Sequence, residues 1–187
     1  MFNRSTKEDF QIDVAEKVEP YRSIQNIAVR TLNGFGYELF RKDGGKCVLP
    51  KDGQPSFALQ CARVLAGKDN QPLSQAISLA NLMVLIQNTL VDPSDQDAVN
   101  RMIGQFDVTA TDWVKTHINE LFDRRSKMIE YARQVDQTDQ VWLPIKNNLS
   151  CSETYDWVFV DECQDLSKAQ IELVKKVCFV LFFITCA

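Results

Sequence analysis

Apolar residues recur at helical spacing along most of the chain and form short unbroken runs at only a few places. Phe10, Val14 and Val18 stand four apart and predict a helix over Ser5–Val18. The Ile- and Val-rich run Ile24–Leu32 predicts a strand. Phe35, Leu39 and Phe40 give Asn33–Lys42 an apolar helical face, which Asp43-Gly44-Gly45 ends. Gly44, Gly45, Pro50, Gly53 and Pro55 make residues 43–55 a loop. Helical spacing then dominates to about residue 145. It predicts helices over Phe57–Ala66 and Leu73–Leu90, a short one after Pro93-Ser94 to Ile103, and a longer one capped by Thr109 or Thr111 and running through Tyr131. Asp139–Leu149, with Pro144 inside it, stays ambiguous. A strand over Tyr155–Val160, a helix over Ser167–Lys176 and an apolar tail, Val177–Ala187, read as a buried strand, complete the pattern.

Strand and helix on either side of a long helical block predict an α/β sheet domain with a helical insertion. The divisions fall at residues 1–46, 47–148 and 149–187. A chain of 187 residues is long enough for one domain with such an insertion. A net charge of −4 argues against a surface that is basic throughout. Residues 1–68 hold 11 Lys/Arg against 8 Asp/Glu, and residues 69–187 hold 10 against 17, so only the front is mildly basic. No two of the six cysteines are spaced C-x-x-C and there is one histidine, His117, which argues against a zinc site. The first residues are not a signal peptide and the apolar tail is too short to span a bilayer. A reducing, cytoplasmic setting (or a nucleoid or nucleus) without membrane contact is expected.

The chemistry concentrates at Tyr155–Asp165. The run Trp157–Val160 reads as a buried parallel strand, and it ends on two adjacent carboxylates, Asp161 and Glu162. Ligands of open α/β sheets bind beyond the carboxyl ends of such strands. Asp161 there can hold Mg²⁺ and Glu162 can polarise a water for attack on a phosphate, the logic of a Walker B element.

The longer pattern Val160-Asp161-Glu162-Cys163-Gln164-Asp165, followed by Gln170, resembles motif II of the UvrD/Rep-like superfamily 1 DNA helicases. Phe2-Asn3-Arg4-Ser5 before a helix resembles their motif Ia, and Val29–Gly36 resembles motif Ib. Asp139–Pro144 resembles an acidic stretch ending in proline that precedes motif II. The resemblance implies a piece of the N-terminal ATPase domain, from motif Ia to motif II. Its fold would be a partial RecA-like parallel sheet of the P-loop NTPase type, interrupted by a helical subdomain. The implied activity is ATP hydrolysis coupled to movement on single-stranded DNA. The implied partners are single-stranded or partly duplex DNA and the rest of the helicase. By the same resemblance Asp161 binds Mg²⁺, Glu162 and Gln164 are catalytic, and Asp165 and Gln170 couple nucleotide state to the other motifs. Phe2, Asn3, Arg4, Thr31 and Asn33 contact DNA, through polar groups on phosphate and an aromatic ring on bases. Asn33 stands where the family most often has His; it can donate a hydrogen bond but carries no charge.

No G-x-x-x-x-G-K-[ST] phosphate loop occurs anywhere in the chain. Asp43-Gly44-Gly45-Lys46-Cys47 lacks the first glycine and the hydroxyl. The chain alone is therefore expected not to turn over ATP at a helicase-like rate, nor to hold ATP and Mg²⁺ tightly. Two other readings remain open. One is a non-enzymatic module, derived from a helicase, that binds single-stranded DNA or protein. The other is a metal-dependent phosphodiesterase using Asp161, Glu162 and Asp165, which would need further converging ligands that the sequence does not offer.

Overall fold

A computed structural model describes residues 28–152, 155–177 and 181–183, together with Asp9, Ile12 and Lys17. The described residues form helices α1 (Leu32–Gly44), α2 (Phe57–Lys68), α3 (Leu73–Thr89), α4 (Gln96–Gln105), α5 (Asp112–Ala132), α6 (Gln137–Lys146) and α7 (Lys168–Lys175). Two strands, β1 (Val158–Val160) and β2 (Leu181–Phe183), pair in parallel.

This corrects the expected fold class. A RecA-like parallel sheet is not formed by the described residues, whose only sheet is this pair of three-residue strands; the class is helical. The run Ile24–Leu32 shows why the pattern misled. Ala28 to Thr31 have no regular structure, Leu32 already opens α1, and residues 24–27 lie outside the described residues. A β-branched run becomes a strand only where a neighbouring strand pairs with it. Of the expected helix Ser5–Val18, the described Asp9, Ile12 and Lys17 are helical.

The helices begin where the sequence supplies caps. The side chains of Thr31, Ser56, Asp95, Thr111 and Ser167 each accept a backbone N–H in the first turn that follows. Gly45, at φ 86°, ends α1 in a conformation that residues with a Cβ rarely adopt. Two apolar clusters hold the helices together. Leu65, Leu79, Leu82, Ile86, Val114, Ile118 and Leu121 are fully buried in the larger, which occupies the helical block. Phe35, Leu39, Val141, Ala169, Leu173 and Val177 form the smaller, which joins α1, α6 and α7.

Of the ambiguous stretch 139–149, the residues through Lys146 are helical, with Pro144 inside α6. Pro144 has no N–H, so the carbonyl of Gln140 gets no bond from the next turn. Gly36 of α1 packs against that carbonyl so closely that an added Cβ would lie 2.1 Å from the oxygen. Gly36→Ala must therefore push α1 from α6, at an expected cost of about 1–3 kcal/mol in urea unfolding. A variant as stable as the parent would contradict this packing.

At the first turn of α6 lies a buried charged hub. Asp136 accepts from Phe57 N (2.7 Å) and Ala58 N (2.8 Å), fastening the start of α2. Asp139 accepts from Gln87 Nε2 of α3 (2.7 Å), from Asp136 N (2.8 Å) and from Arg125 Nη2 of α5. Arg125 is fully buried; it also lies 3.6 Å from Asp136 and donates to Gln134 O at 3.2 Å. Burial raises the Asp139 carboxyl above the usual range, and the Arg125 charge offsets only part of that.

Candidate functional site

The site is built on β1 and the turn after it. β1 pairs with β2 in the register Val158 to Leu181, Phe159 to Phe182 and Val160 to Phe183, with α7 between the two strands in the chain. Val160 is buried, but Phe159 is 66% and Trp157 is 60% exposed, so the run Trp157–Val160 is not buried on both faces as its composition predicts. Among the described residues β1 has one partner strand, which covers an edge of it and not a face.

Asp161 follows Val160 directly and is exposed. Its Oδ1 accepts the backbone N–H of Glu162 at 3.0 Å. Glu162 has φ 51° and ψ 41°, in the left-handed region. Among the described residues, the other non-glycine positions of positive φ, Asn70, Leu90, Asp107, Arg133 and Asn148, all follow helix ends. Glu162 instead follows a strand, where this conformation turns the chain sharply into the single 3-10 turn Cys163–Asp165. Gln164 Nε2 donates to Glu162 Oε2, and Asp165 N donates to Glu162 O at 3.0 Å. Four of the expected residues, Asp161, Glu162, Gln164 and Asp165, thus share one tight turn at the carboxyl end of β1.

Gln170 lies apart in the first turn of α7. Its Oε1 accepts from Ser167 N (2.8 Å) while its own N–H bonds Ser167 Oγ (3.3 Å), a reciprocal cap. Thr31 and Asn33 open α1. Thr31 Oγ1 caps Gly34 N at 3.1 Å, and Asn33 Nδ2 donates to Gln137 O of α6 at 2.8 Å. Beside them Arg30 bonds Glu38 at 2.7 Å. Phe2, Asn3 and Arg4 lie outside the described residues.

Compared with known families, the chain matches the model of the UvrD/REP helicase N-terminal domain over residues 3–184. The chain belongs to that family. No curated protein and no solved structure matches it. The match covers both the acidic turn and the helical block, so the resemblance first carried by a few short motifs holds across nearly the whole chain. No helix among the described residues is long and apolar enough to cross a membrane.

UvrD-like helicases use ATP with Mg²⁺, and the donor set of the turn can be tested for that fit. Mg²⁺ takes oxygen ligands, and in nucleotide enzymes it is commonly held by one or two carboxylates together with substrate phosphates. Asp161 and Glu162 supply carboxylates of the right kind. No group of three His, Cys, Asp or Glu gathers among the described residues. A cleft of about 250 Å³ opens elsewhere, where α1, α5 and α6 end, and is lined by Phe40, Asp43, Glu130, Arg133 and Lys146 among others.

The sequence reading missed Arg125 and Asp136. Both left a signal. Arg125 sits four residues after Leu121 and four before Ile129, on the apolar stripe of α5, where a charge must find a buried partner. Asp136 precedes Asp139 by three, the spacing that lets two residues share a helix start.

Proposed function

We propose that this domain serves an ATP-driven DNA helicase, in which hydrolysis at the turn after β1 powers movement along single-stranded DNA. The observation that carries this reading is the position of Asp161 and Glu162, at the carboxyl end of a parallel strand in a chain of the UvrD/REP family. Asp161 would hold Mg²⁺, which would supply Lewis-acid stabilisation of phosphate charge. Glu162 accepts the proton of the attacking water, and Gln164 holds the Glu162 carboxylate in place. Asp165, on the same turn, and Gln170, at the start of α7, couple the site to its surroundings. Phe2, Asn3, Arg4, Thr31 and Asn33 contact the DNA strand. Segments 1–46 and 149–187 flank the helical segment 47–148, and the remaining parts of the helicase are partners of all three. The working setting is the cytoplasm, or a nucleoid or nucleus.

The 187 residues contain no phosphate loop whose amides could cradle a triphosphate. The purified chain is therefore expected to hydrolyse no ATP above background; its proposed DNA contacts, of which Arg4 alone is cationic, are expected to bind single-stranded oligo-dT weakly and with a shallow salt dependence. Robust DNA-stimulated hydrolysis by this chain would overturn the assignment of an incomplete site. Absence of any oligo-dT binding at low salt would overturn the DNA contacts.

A further inference from the structure

The first turn of α6 faces two ways. On one side Asp136 and Asp139 fasten it to α2, α3 and α5 through the buried hub. On the other, Gln137 O takes the Asn33 amide of α1 and Gln140 O meets the bare backbone of Gly36. We propose that the buried Arg125–Asp139 pair is a positioning device for the α1 end that carries Thr31 and Asn33, acting through the Asp136–Gln140 turn. This rests on the reading of Thr31 and Asn33 as DNA contacts.

Three features make the turn a stiff connection. Asp139 is 1% exposed, and its two oxygens are bonded to three separate partners, so it cannot swing without stranding a buried charge. At Gly36 no side chain separates the backbones of α1 and α6, so there a shift of the turn passes directly to α1. Asn33 gives one of its two Nδ2 hydrogens to Gln137 O, so the orientation of its amide follows α6 and the second hydrogen stays available. Arg125 and Asp139 are positioning residues in this scheme and need not touch DNA.

Two measurements on the full chain test the connection. Hydrogen exchange is compared between the parent and Asn33→Ala. The amides of Phe57 and Ala58, which donate to Asp136, are expected to exchange about tenfold faster in the variant, with α4 amides such as Val99 unchanged. An effect confined to α1 would overturn the proposal. In the second, oligo-dT affinity is measured against salt for Asp139→Asn. A weakening of about tenfold with an unchanged salt slope is expected, because a positioning residue alters affinity without altering the number of phosphates neutralised. A folded Asp139→Asn that binds like the parent overturns the proposal, and a reduced slope would make Asp139 part of the contact itself and overturn it equally. Should Asp139→Asn not fold, Gln87→Leu removes one bond to Asp139 and gives the same readout. If the parent binds no oligo-dT, it is the DNA reading that fails, and the exchange experiment alone decides the connection.

Discussion

Replacing Arg125 by Met is expected to destabilise the fold by about 3–5 kcal/mol at neutral pH. The substitution fills much of the same volume, so the loss is mainly electrostatic. Asp136 and Asp139 would be left as neighbouring buried carboxylates without a cation. The Asp139 carboxyl already lies above its ordinary range through burial, and Arg125 is the largest influence holding it down. Removing Arg125 raises it further. A carboxyl with a raised folded-state pKa contributes stability that is fully present below the unfolded value, about 3.9, and lost as pH rises through the folded value. The deficit of Arg125→Met is therefore expected to be smaller near pH 5 than near pH 8. Urea unfolding at both pH values checks the sign. A deficit that stays under about 1 kcal/mol, or one that grows on acidification, would show that the hub does not hold these helices as described.

Glu162→Gln is expected to lower ATP turnover on the order of 10²–10⁴-fold in a helicase polypeptide that carries this domain together with a phosphate loop, with nucleotide affinity nearly unchanged. Gln keeps the size of Glu162 and can still bond Gln164, but it cannot accept the proton from water. The separation of the two effects is the informative part. Loss of both binding and turnover would mean a disturbed turn. Unchanged turnover would remove Glu162 from the reaction.

The helices were legible where apolar spacing agrees with a cap or a stop. Thr111 does cap α5, and Gly45 does close α1. The acidic turn was legible for a similar reason: a short apolar run breaking off at Asp161 and Glu162 has few structural meanings. What the sequence hid were contacts between distant segments. Pro144 left its stretch ambiguous, and the approach of Gly36 to the Gln140 carbonyl shows what its place inside α6 permits. Arg125 stands on the apolar stripe of α5, but its partners Asp136 and Asp139 come from another element and could not be read from that stripe. The sheet was overestimated: of the expected strand 24–32, the described residues 28–32 are not strand, because β-rich composition is not sufficient for one. Val158–Val160, by contrast, has a parallel partner at 181–183.

The most direct test of the central claim, that the turn after β1 is where Mg²⁺ is held, uses paramagnetic Mn²⁺ as a stand-in, with a non-hydrolysable ATP analogue, and NMR on a helicase polypeptide that carries this domain together with a phosphate loop. Substoichiometric Mn²⁺ is expected to broaden the amide signals of Asp161 to Asp165 before any others, and Asp161→Ala is expected to abolish that selectivity. Broadening that begins at another acidic segment such as Asp92–Asp97, and is indifferent to Asp161→Ala, would contradict it.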